Sequence, residues 1–365
     1  MNPAMSERFD IAIIGAGMAG ASLAAGLAGR ARVLLIEAED RPGYHATGRS
    51  AAFWHESYGG LGVQPLTSAS GPELHSLGVL SARGALTIGR IDQEAAVERF
   101  CATFSAIGVD CQQVGRGVLE EWIPGLRAGW IHGALEPLCS DIDVAGLHQH
   151  YLAEARRHGA DLWCRAELTG AERTARGWRL TLADGRTADC AVLANAAGAW
   201  ADPVARLAGI APLGITPLRR TVAALRTDPQ PPANLPLVLA IDETFYFKPD
   251  SGRLWLSPTD ETPSAPCDAA PEDIDVATAI ARFEEVVDWQ IQRVEHKWAG
   301  LRSFAADRLP VYGFDTRVPD FFWFAGQGGF GIQTAPAAAR LAAGQLLGEA
   351  DGAVDPAPYA PARFG

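Results

Sequence analysis

The first residues that could do chemistry form a glycine-rich turn between two apolar strands. The run GAGMAG at 15–20 follows the apolar stretch 10–14 and opens a small-residue helix. Glycine permits the tight turn there, and the free N–H groups and dipole of a helix N-terminus favour a pyrophosphate. Glu37 ends the second apolar strand about 20 residues further on, where its carboxylate can accept hydrogen bonds from a ribose. The unit predicts a dinucleotide site rather than a packing turn, and it does not separate FAD from NAD.

A second glycine cluster lies near the C-terminal end of the chain. In FFWFAGQGGFGIQTAP at 321–336, four glycines follow directly on a strand of bulky apolar residues. Glycine is entropically costly in ordered structure, so such a cluster marks a sharp turn or a close approach of the backbone. A helix cap needs only one glycine. We therefore expect the loop to lay main-chain amides against a cofactor, and the next helix to present its positive end to it.

Two arginines and a tyrosine could bind an acid. Arg220 in TPLRRTV and Arg302 in AGLRSFA each offer a planar guanidinium that can grip a carboxylate with two parallel N–H groups, although either alone is as readily a surface residue. Tyr246 alternates with Phe245 and Phe247, so its phenol faces away from both phenyl rings. That hydroxyl could donate to the same carboxylate, or the ring could simply pack in a core.

Histidine and cysteine do not indicate a metal site. His148 and His150 are two apart on an expected helix and so point to different sides. The six cysteines contain no C-x-x-C pair, which argues against zinc or a redox dithiol. We expect reduced, buried thiols and no metal.

Regular elements must hold these residues in place. Residues 10–37 predict a β-α-β unit, and residues 42–72 predict a long loop with room for one helix. Asp141 or Asp143 is expected to cap an amphipathic helix that ends at Gly159. Further elements are expected as a hairpin through Asp184-Gly185, strands at 215–228 and 237–259, and helices at 92–107 and 271–287.

Composition narrows the class of protein. A chain of 365 residues with 48% hydrophobic content can bury a core larger than one domain. Its net charge of −12 argues against nucleic acid or an anionic membrane as the main partner. The N-terminus lacks a basic start followed by an apolar core, and no stretch reaches the length of an integral membrane segment. We expect a cytoplasmic protein.

Five further segments resemble the flavoprotein family of D-amino-acid oxidases, sarcosine oxidase and glycine oxidase, with a pattern most similar to the bacterial D-arginine dehydrogenase branch. They agree in order over nearly the whole chain: GYHATGRSAA (43–52), NAAGAW (195–200), FYFKPD (245–250), WAGLRSF (298–304) and QGGFGIQT (327–334). The resemblance implies an α/β fold, α+β overall, in which a mixed-sheet substrate domain is inserted into a Rossmann-like FAD-binding domain. The FAD-binding domain would comprise 1–75, 140–212 and 304–365, and the substrate domain 76–139 and 213–303.

The resemblance also implies the cofactor contacts. The first glycine run would hold the pyrophosphate of FAD, Glu37 the ribose, Glu167 and Leu168 the adenine region, and Thr47 to Ala52 the isoalloxazine. The flavin is expected to be noncovalent, although His45 could in principle carry it. The implied set is Gly15, Ala16, Gly17, Met18, Ala19, Gly20, Glu37, Ala38, His45, Thr47, Gly48, Arg49, Ser50, Ala51, Ala52, Glu167, Leu168, Ala196, Ala197, Gly198, Trp200, Gly300, Gly328, Gly329, Phe330, Gly331, Ile332, Gln333 and Thr334.

The same resemblance implies the reaction, which is hydride transfer from the α-carbon of a D-amino acid to flavin N5. The resulting imine would hydrolyse to a 2-oxo acid and ammonia, and electrons would pass to oxygen, a quinone or another carrier. No side-chain base is required, although His55 or a water could assist. The implied substrate-site residues are Arg220, Arg302, Tyr246, Tyr58, His55, Phe53, Gly329 and Gln333.

The sequence departs from the D-arginine dehydrogenase pattern where that branch binds a cationic side chain. An acidic residue is expected in the strand that corresponds to 80–90, but Ala85 aligns there and the stretch has no carboxylate. A buried cation without a partner is costly, so apolar or aromatic D-amino acids are favoured, with Phe53 and His55 expected to face the pocket. The alternatives are secondary amines such as sarcosine or proline, L-2-hydroxy acids, and a flavin-binding protein without turnover.

Overall fold

The computed structural model describes residues 7–349 and 352–365, which form two large β-sheets, one small sheet and their covering helices. The strands are β1 (Glu7–Ile14), β2 (Val33–Ile36), β3 (Phe53–Trp54), β4 (Leu80–Ala82), β5 (Ala85–Arg90), β6 (Gln112–Gly115), β7 (Trp130–Glu136), β8 (Ser140–Ile142), β9 (Asp161–Trp163), β10 (Leu168–Thr174), β11 (Gly177–Leu182), β12 (Thr187–Asn195), β13 (Thr216–Asp228), β14 (Leu237–Ala240), β15 (Tyr246–Asp250), β16 (Arg253–Ser257), β17 (Thr262–Pro263), β18 (Gln290–Phe304), β19 (Val311–Phe314), β20 (Phe321–Ala325) and β21 (Gln327–Gly328). The helices are α1 (Met18–Leu27), α2 (Gln64–Ser76), α3 (Glu94–Ser105), α4 (Arg116–Trp122), α5 (Val144–Arg157), α6 (Ala201–Leu207), α7 (Asp273–Glu284) and α8 (Ala335–Leu347).

The first sheet contains the N-terminal β-α-β unit. Strand β1 lies between β2 and β12 and is parallel to both, and β20 continues the parallel set from the last residues of β12. Every residue of β2 and of β20 is buried, as expected for parallel strands that are covered on both faces. Helices α1, α5 and α8 pack together on one side. The predicted mixed α/β class with a Rossmann-like unit is confirmed.

The second sheet is mixed and carries the arginines. Its strand order is β21-β18-β13-β16-β15-β14-β5-β7-β6, with β17 paired to β13. The long strands β13 and β18 are antiparallel over nearly their full length. Phe245 and Phe247 enter the core under α7, whereas Tyr246 packs on the other side with Phe53. Strand β21, inside the glycine-rich loop, joins the end of β18 through the pair Ser303 and Gly328.

Three local predictions are resolved by the structure. Helix α5 begins after Asp143, whose side chain accepts a hydrogen bond from the Gly146 N–H at 2.9 Å. The expected strand at 237–259 is three strands, β14 to β16. Within the described residues, no helix is long and apolar enough to cross a membrane.

A buried ion cluster joins the small sheet, β3-β8-β4, to the second sheet. The Asp141 carboxylate accepts from Lys248 Nζ at 2.6 Å and from Arg83 Nε and Nη2 at 2.8 and 2.6 Å. Lys248 is only 4% exposed. A buried ammonium group depends on such a partner, because removing one member leaves a charge that water no longer solvates.

We expect Asp141→Asn to lower the free energy of unfolding by about 3 kcal/mol, because it leaves Lys248 without its carboxylate. The measurement is urea unfolding at pH 7. Asp184→Asn is the matched control, since that carboxylate lies on the surface beside Arg186 and its loss should change stability little. Equal effects of the two substitutions would contradict the assigned role of Asp141.

Candidate active site

One cavity of about 700 Å³ runs from the first sheet to the second. At one end it is lined by Gly15 and Glu37 of the β-α-β unit, and at the other by Arg220 and Tyr246 of the second sheet. Its volume lies within the range of cofactor and ligand sites. The predicted dinucleotide residues and the predicted acid-binding residues therefore share one space.

The dinucleotide end requires glycine for identifiable reasons. Gly15 has a φ of +97°, and a Cβ there would lie 2.7 Å from the Ala196 carbonyl oxygen. A Cβ on Gly20 would lie 1.8 Å from the Gly15 carbonyl oxygen, so this glycine is needed for the turn itself. Glu37 is 9% exposed, and its carboxylate accepts from the N–H groups of Ala16 and Glu39 at 2.9 and 3.0 Å. The carboxylate is thereby fixed at the cavity wall beside the helix N-terminus.

The loop after β2 closes over the start of α1. The Met18 N–H donates to Thr47 Oγ1 at 2.9 Å, which ties this loop to the first turn of the helix. His45 Nε2 lies 2.8 Å from Glu39 Oε1, its ring packs against Trp200, and its Nδ1 is buried with no partner. An orphaned polar atom at the cavity wall is the position where a bound group can supply the missing hydrogen bond.

The dinucleotide turn is also held from behind by a residue that carried no predicted role. His148 on α5 donates from Nε2 to the Ala16 carbonyl oxygen at 2.9 Å. Burial lowers the pKa of His148 below its ordinary value, so the ring is neutral and has one proton to donate. His148 therefore positions the turn.

Most of the predicted residues line the cavity, and six do not. The Ala16 N–H turns to Glu37, Gly20 packs on Gly15, and the Gly48 N–H donates to the Gly43 carbonyl. The predicted residues away from the cavity wall are Ala16, Gly20, Gly48, His55, Phe330 and Thr334.

Two of those six belong to the glycine-rich loop after β20. The Phe330 ring packs in a cluster with Val63 and Phe304, and the Thr334 hydroxyl donates to the Phe330 carbonyl at the start of α8. Gly328, Gly329, Gly331, Ile332 and Gln333 do line the cavity. Helix α8 itself begins at Ala335, one turn beyond the loop, so the loop amides lie closer to the cavity than the helix terminus does.

Arg302 depends on the absence of a side chain at Gly329. A Cβ on Gly329 would lie 1.5 Å from Arg302 Nη2, so the guanidinium occupies the space that any other residue would fill. Arg302 Nη2 donates to the Tyr58 hydroxyl at 2.5 Å. Its guanidinium carbon lies 5.6 to 5.8 Å from the ring centres of Phe304, Phe330 and Tyr58. Aromatic faces on several sides stabilise the cation and restrict its position.

Arg220 lies beside Arg302 on the neighbouring strand. Its Nε donates to the Asp260 carbonyl at 2.9 Å, and its Nη2 lies 3.3 Å from Glu261 Oε1. Burial, and next the charge of Arg302, lower the pKa of the Arg220 guanidinium below its usual value. Two guanidinium groups that lie side by side repel one another, so the space between them and the cavity favours an anion. We call Arg220 and Arg302 the arginine pair.

Aromatic residues surround the arginine pair. Phe53 packs edge-on against Tyr58 and Tyr246, with ring centres 5.0 and 6.1 Å apart. Burial raises the pKa of Tyr246 above its ordinary value, so its hydroxyl stays protonated and can act as a donor. Val222 also lines the cavity, two residues after Arg220 on β13, a spacing that places both on one face. Sequence alternation could have found Val222.

His55 was expected to face the pocket, and that expectation is wrong. The ring is 2% exposed, and its Nε2 donates to Glu136 Oε1 at 2.7 Å. The Ser57 hydroxyl donates to the same oxygen at 2.5 Å. Glu136 is the last residue of β7 and lies opposite Ala85 of β5. No local sequence pattern predicts this strand pairing. The His55 ring stacks behind Tyr58, so this buried group supports the pocket without lining it.

The sequence of this chain is similar to a family of FAD-dependent oxidoreductases and to several characterised proteins. The family model described as DAO, FAD dependent oxidoreductase, matches residues 10–345. Glycine oxidase from Geobacillus kaustophilus is 26% identical over 385 residues, which cover 98% of each chain. Subunit HcnC of hydrogen cyanide synthase from Pseudomonas aeruginosa is 28% identical over 236 residues, covering 64% of this chain but only 55% of HcnC.

Two solved structures have the same fold. The structure of glycine oxidase from G. kaustophilus gives a TM-score of 0.85 at 23% identity, covering 97% of this chain and 98% of its own. L-Proline dehydrogenase from P. horikoshii gives 0.87 at 21% identity, covering 99% and 98%. At such identities the likeness establishes the fold alone.

We expect Gly329→Ala to displace Arg302 and to weaken binding of a simple carboxylate such as propionate by about 30-fold, the value of one or two charge-assisted hydrogen bonds. Calorimetric titration of the purified protein measures the affinity. Gly170→Ala is the control, because a Cβ there meets only Thr181 Cβ at 4.0 Å. Unchanged propionate affinity in Gly329→Ala would refute the steric dependence.

Glu136→Gln tests the buried group behind the pocket. Burial alone would raise the pKa of Glu136, but the charge and hydrogen bond of His55, followed by Ser57, hold it below its ordinary value. A depressed carboxyl pKa stabilises the fold above the unfolded pKa of about 4.3, and the contribution disappears as pH falls through the folded pKa.

We therefore expect Glu136→Gln to lower the free energy of unfolding by about 3 kcal/mol at pH 7. The difference from the parent protein should shrink as the pH falls below about 4. Urea unfolding between pH 3 and pH 7 measures both. Glu98→Gln, on the exposed face of α3, is the control. A difference that is constant across this pH range would show that the carboxylate charge is not what stabilises the site.

Proposed function

We propose that this chain, which belongs to the DAO family of FAD-dependent oxidoreductases, oxidises the carbon–nitrogen bond of an α-amino acid, and specifically of a D-amino acid with an apolar or aromatic side chain. The observation that carries the proposal is the arginine pair, which lies largely shielded from water at one end of the cavity, with Arg302 against Gly329. The other end of the cavity is the dinucleotide turn. A carboxylate held there keeps the rest of its molecule in the cavity.

The cavity fits the cofactor of the family. Gly15 and Gly17 carry no side chain that could cover the N-terminus of α1. The Glu37 carboxylate is fixed at the cavity wall, and His45 Nδ1 has no hydrogen-bond partner in the protein. We assign the pyrophosphate to the turn at 15–20 and the flavin to 45–52 and 327–333. When bound, FAD supplies a flavin ring that accepts a hydride equivalent from the substrate carbon. The division into an FAD-binding and a substrate domain, with the boundaries expected from the sequence, is part of this proposal.

The chain's own residues bind and orient the substrate. The arginine pair takes the carboxylate, and the hydroxyl groups of Tyr58 and Tyr246 lie beside it as donors. Holding the acid group fixes the position of the adjacent hydrogen-bearing carbon, and such alignment supplies much of the catalysis. The substrate amine loses its proton before the hydride departs, and the imine product hydrolyses in water. His55 takes no direct part, because it lies behind the cavity wall.

The lining favours an uncharged side chain. The second-sheet end is lined by Phe53, Tyr58, Val222 and Tyr246, and the lining carboxylates Glu37, Glu39 and Glu167 lie at the dinucleotide end. Glu136, which pairs with Ala85, is already bound by His55 and Ser57. A cationic side chain would enter without a counter-charge, at high cost. The comparisons point to relatives such as glycine oxidase and HcnC and not specifically to the expected D-arginine dehydrogenase branch, so they give no support to a cationic substrate.

A second candidate is oxidation of glycine or a secondary amine. It is favoured by the likeness to glycine oxidase, which covers 98% of each chain. The arginine pair would hold those acids in the same way. The two candidates differ only in what the pocket around Phe53 accepts.

The test is anaerobic reduction of the purified holoenzyme by a panel of D-amino acids, glycine, sarcosine, proline and L-2-hydroxy acids. We expect D-amino acids with apolar side chains to bleach the flavin fastest, and Arg302→Met to lower kcat/KM by about 100-fold, mainly through KM. Arg99→Met, on the exposed face of α3, is the control. Failure of every amino acid to reduce the flavin would end the proposal, and a preference for glycine or sarcosine would favour the second candidate.

A further inference from the structure

One carboxylate lies against three arginines at the far side of the arginine pair. Glu261 Oε1 is 3.3 Å from Arg220 Nη2 and 3.8 Å from Arg302 Nη1. Both oxygens of Glu261 accept from Arg308, at 2.7 and 3.1 Å. The side chain of Glu261 is 34% exposed, against 10% and 14% for the arginine pair. Glu261 contacts both members of the arginine pair directly. An acid bound to the pair from the cavity would therefore interact with the same two guanidinium groups as Glu261.

The arginine pair does not depend on Glu261 for its position. Arg220 is held through its Nε by the Asp260 carbonyl, whose own side chain is anchored on Thr221 by bonds of 2.7 and 3.0 Å. Arg302 donates a hydrogen bond to the Tyr58 hydroxyl, and its guanidinium fits into the space left by the missing side chain of Gly329. The contacts from Glu261 to the pair are longer than either of these. They act chiefly through charge, while the close hydrogen bonds of Glu261 go to Arg308.

We propose that Glu261 is a specificity-determining residue that reduces the affinity of the arginine pair for anions and so restricts the site to substrates with a single carboxylate. The inference rests on the proposed role of the arginine pair in binding the substrate acid. A ligand carboxylate on the opposite edge of a guanidinium lies roughly 7 Å from the Glu261 carboxylate, which is within the screening length of physiological salt. Each further negative charge on the ligand adds to the repulsion.

The pKa of Glu261 agrees with a charged carboxylate in this place. Burial would raise it, but Arg308, followed by Arg220 and Arg302, holds it below its ordinary value. Glu261 therefore remains negative throughout the neutral range. Its side chain is fixed by Arg308, whose guanidinium carbon lies 4.0 Å from the centre of the Phe304 ring, so the charge stays in place beside the arginine pair.

The test compares two ligands of nearly equal size that are not oxidised, succinamate with one carboxylate and succinate with two. Dissociation constants are measured by calorimetry on the FAD-loaded wild type and on Glu261→Gln. We expect the substitution to lower the dissociation constant of succinamate by about tenfold and that of succinate by at least about 30-fold. The larger effect on succinate is expected because Glu261 repels a dianion more strongly than a monoanion. Turnover should follow, with the ratio of kcat/KM for D-glutamate over D-glutamine rising at least about threefold.

Glu272→Gln is the matched control. Glu272 lies on the surface just before α7 and pairs with Arg219, the residue next to Arg220. Its substitution therefore removes one negative charge from beside the same strand without touching the arginine pair. Both affinities should stay within about twofold of wild type.

The sign of the effect decides the inference. Weaker binding of succinamate by Glu261→Gln would mean that Glu261 positions the arginines, and unchanged affinities, or an unchanged ratio of the two ligands, would also overturn the proposal. If the wild-type protein binds neither ligand, the arginine pair is not an acid-binding site and the proposal fails. Because the ligands are not oxidised, an enzyme that turns over no amino acid but shows the expected tightening would refute the proposed function and leave this inference standing.

Discussion

The arginine end of the cavity is governed by the cost of holding two like charges side by side with little access to water. Arg220 and Arg302 have little exposed side chain, and the charge of Arg302 adds to burial in lowering the pKa of Arg220. A guanidinium removed from water needs fixed acceptors, which the Asp260 carbonyl and the Tyr58 hydroxyl supply. The nearby Glu261 carboxylate makes its close hydrogen bonds to Arg308, so the arginine pair retains positive charge that favours an acid at this end of the cavity.

Much of this arrangement follows from local sequence. The turn at 15–20, Glu37 at the end of β2, and the opposite faces of Tyr246 and Phe245 are consequences of strand and helix periodicity, which a single sequence displays. Arg220 and Arg302 were also identified, but only as residues that could bind an acid. A single sequence does not show which guanidinium groups lie next to each other in the fold. Their meeting depends on the antiparallel pairing of β13 with β18, in which Arg220 lies opposite Gly300 and Leu218 opposite Arg302.

The features that were missed depend on contacts between distant parts of the chain. Glu136 binds His55 across 81 residues because β7 pairs with β5, and Cys101 and Cys111 come within 3.5 Å although their spacing matches no known motif. Helix α2 contains Gly71 and Pro72, which favour a loop in isolation. A Cβ at position 71 would lie 2.8 Å from the Trp54 ring, so the glycine makes room for tertiary packing that outweighs its low helix propensity.

Arg49 links the loop at 43–52 to strand β18, and both of these elements line the cavity. Its Nη1 donates to the carbonyl oxygens of Ala269 and Ala299 at 2.8 and 3.2 Å, and its own carbonyl accepts from Trp298 Nε1 at 2.9 Å. Trp298 and Ala299 lie on β18, a few residues before Arg302. These hydrogen bonds therefore couple the position of the loop at 43–52 to the position of β18. The proposed hydride transfer would need its two reacting groups at a fixed separation, and this contact between the loop and β18 would help to maintain it.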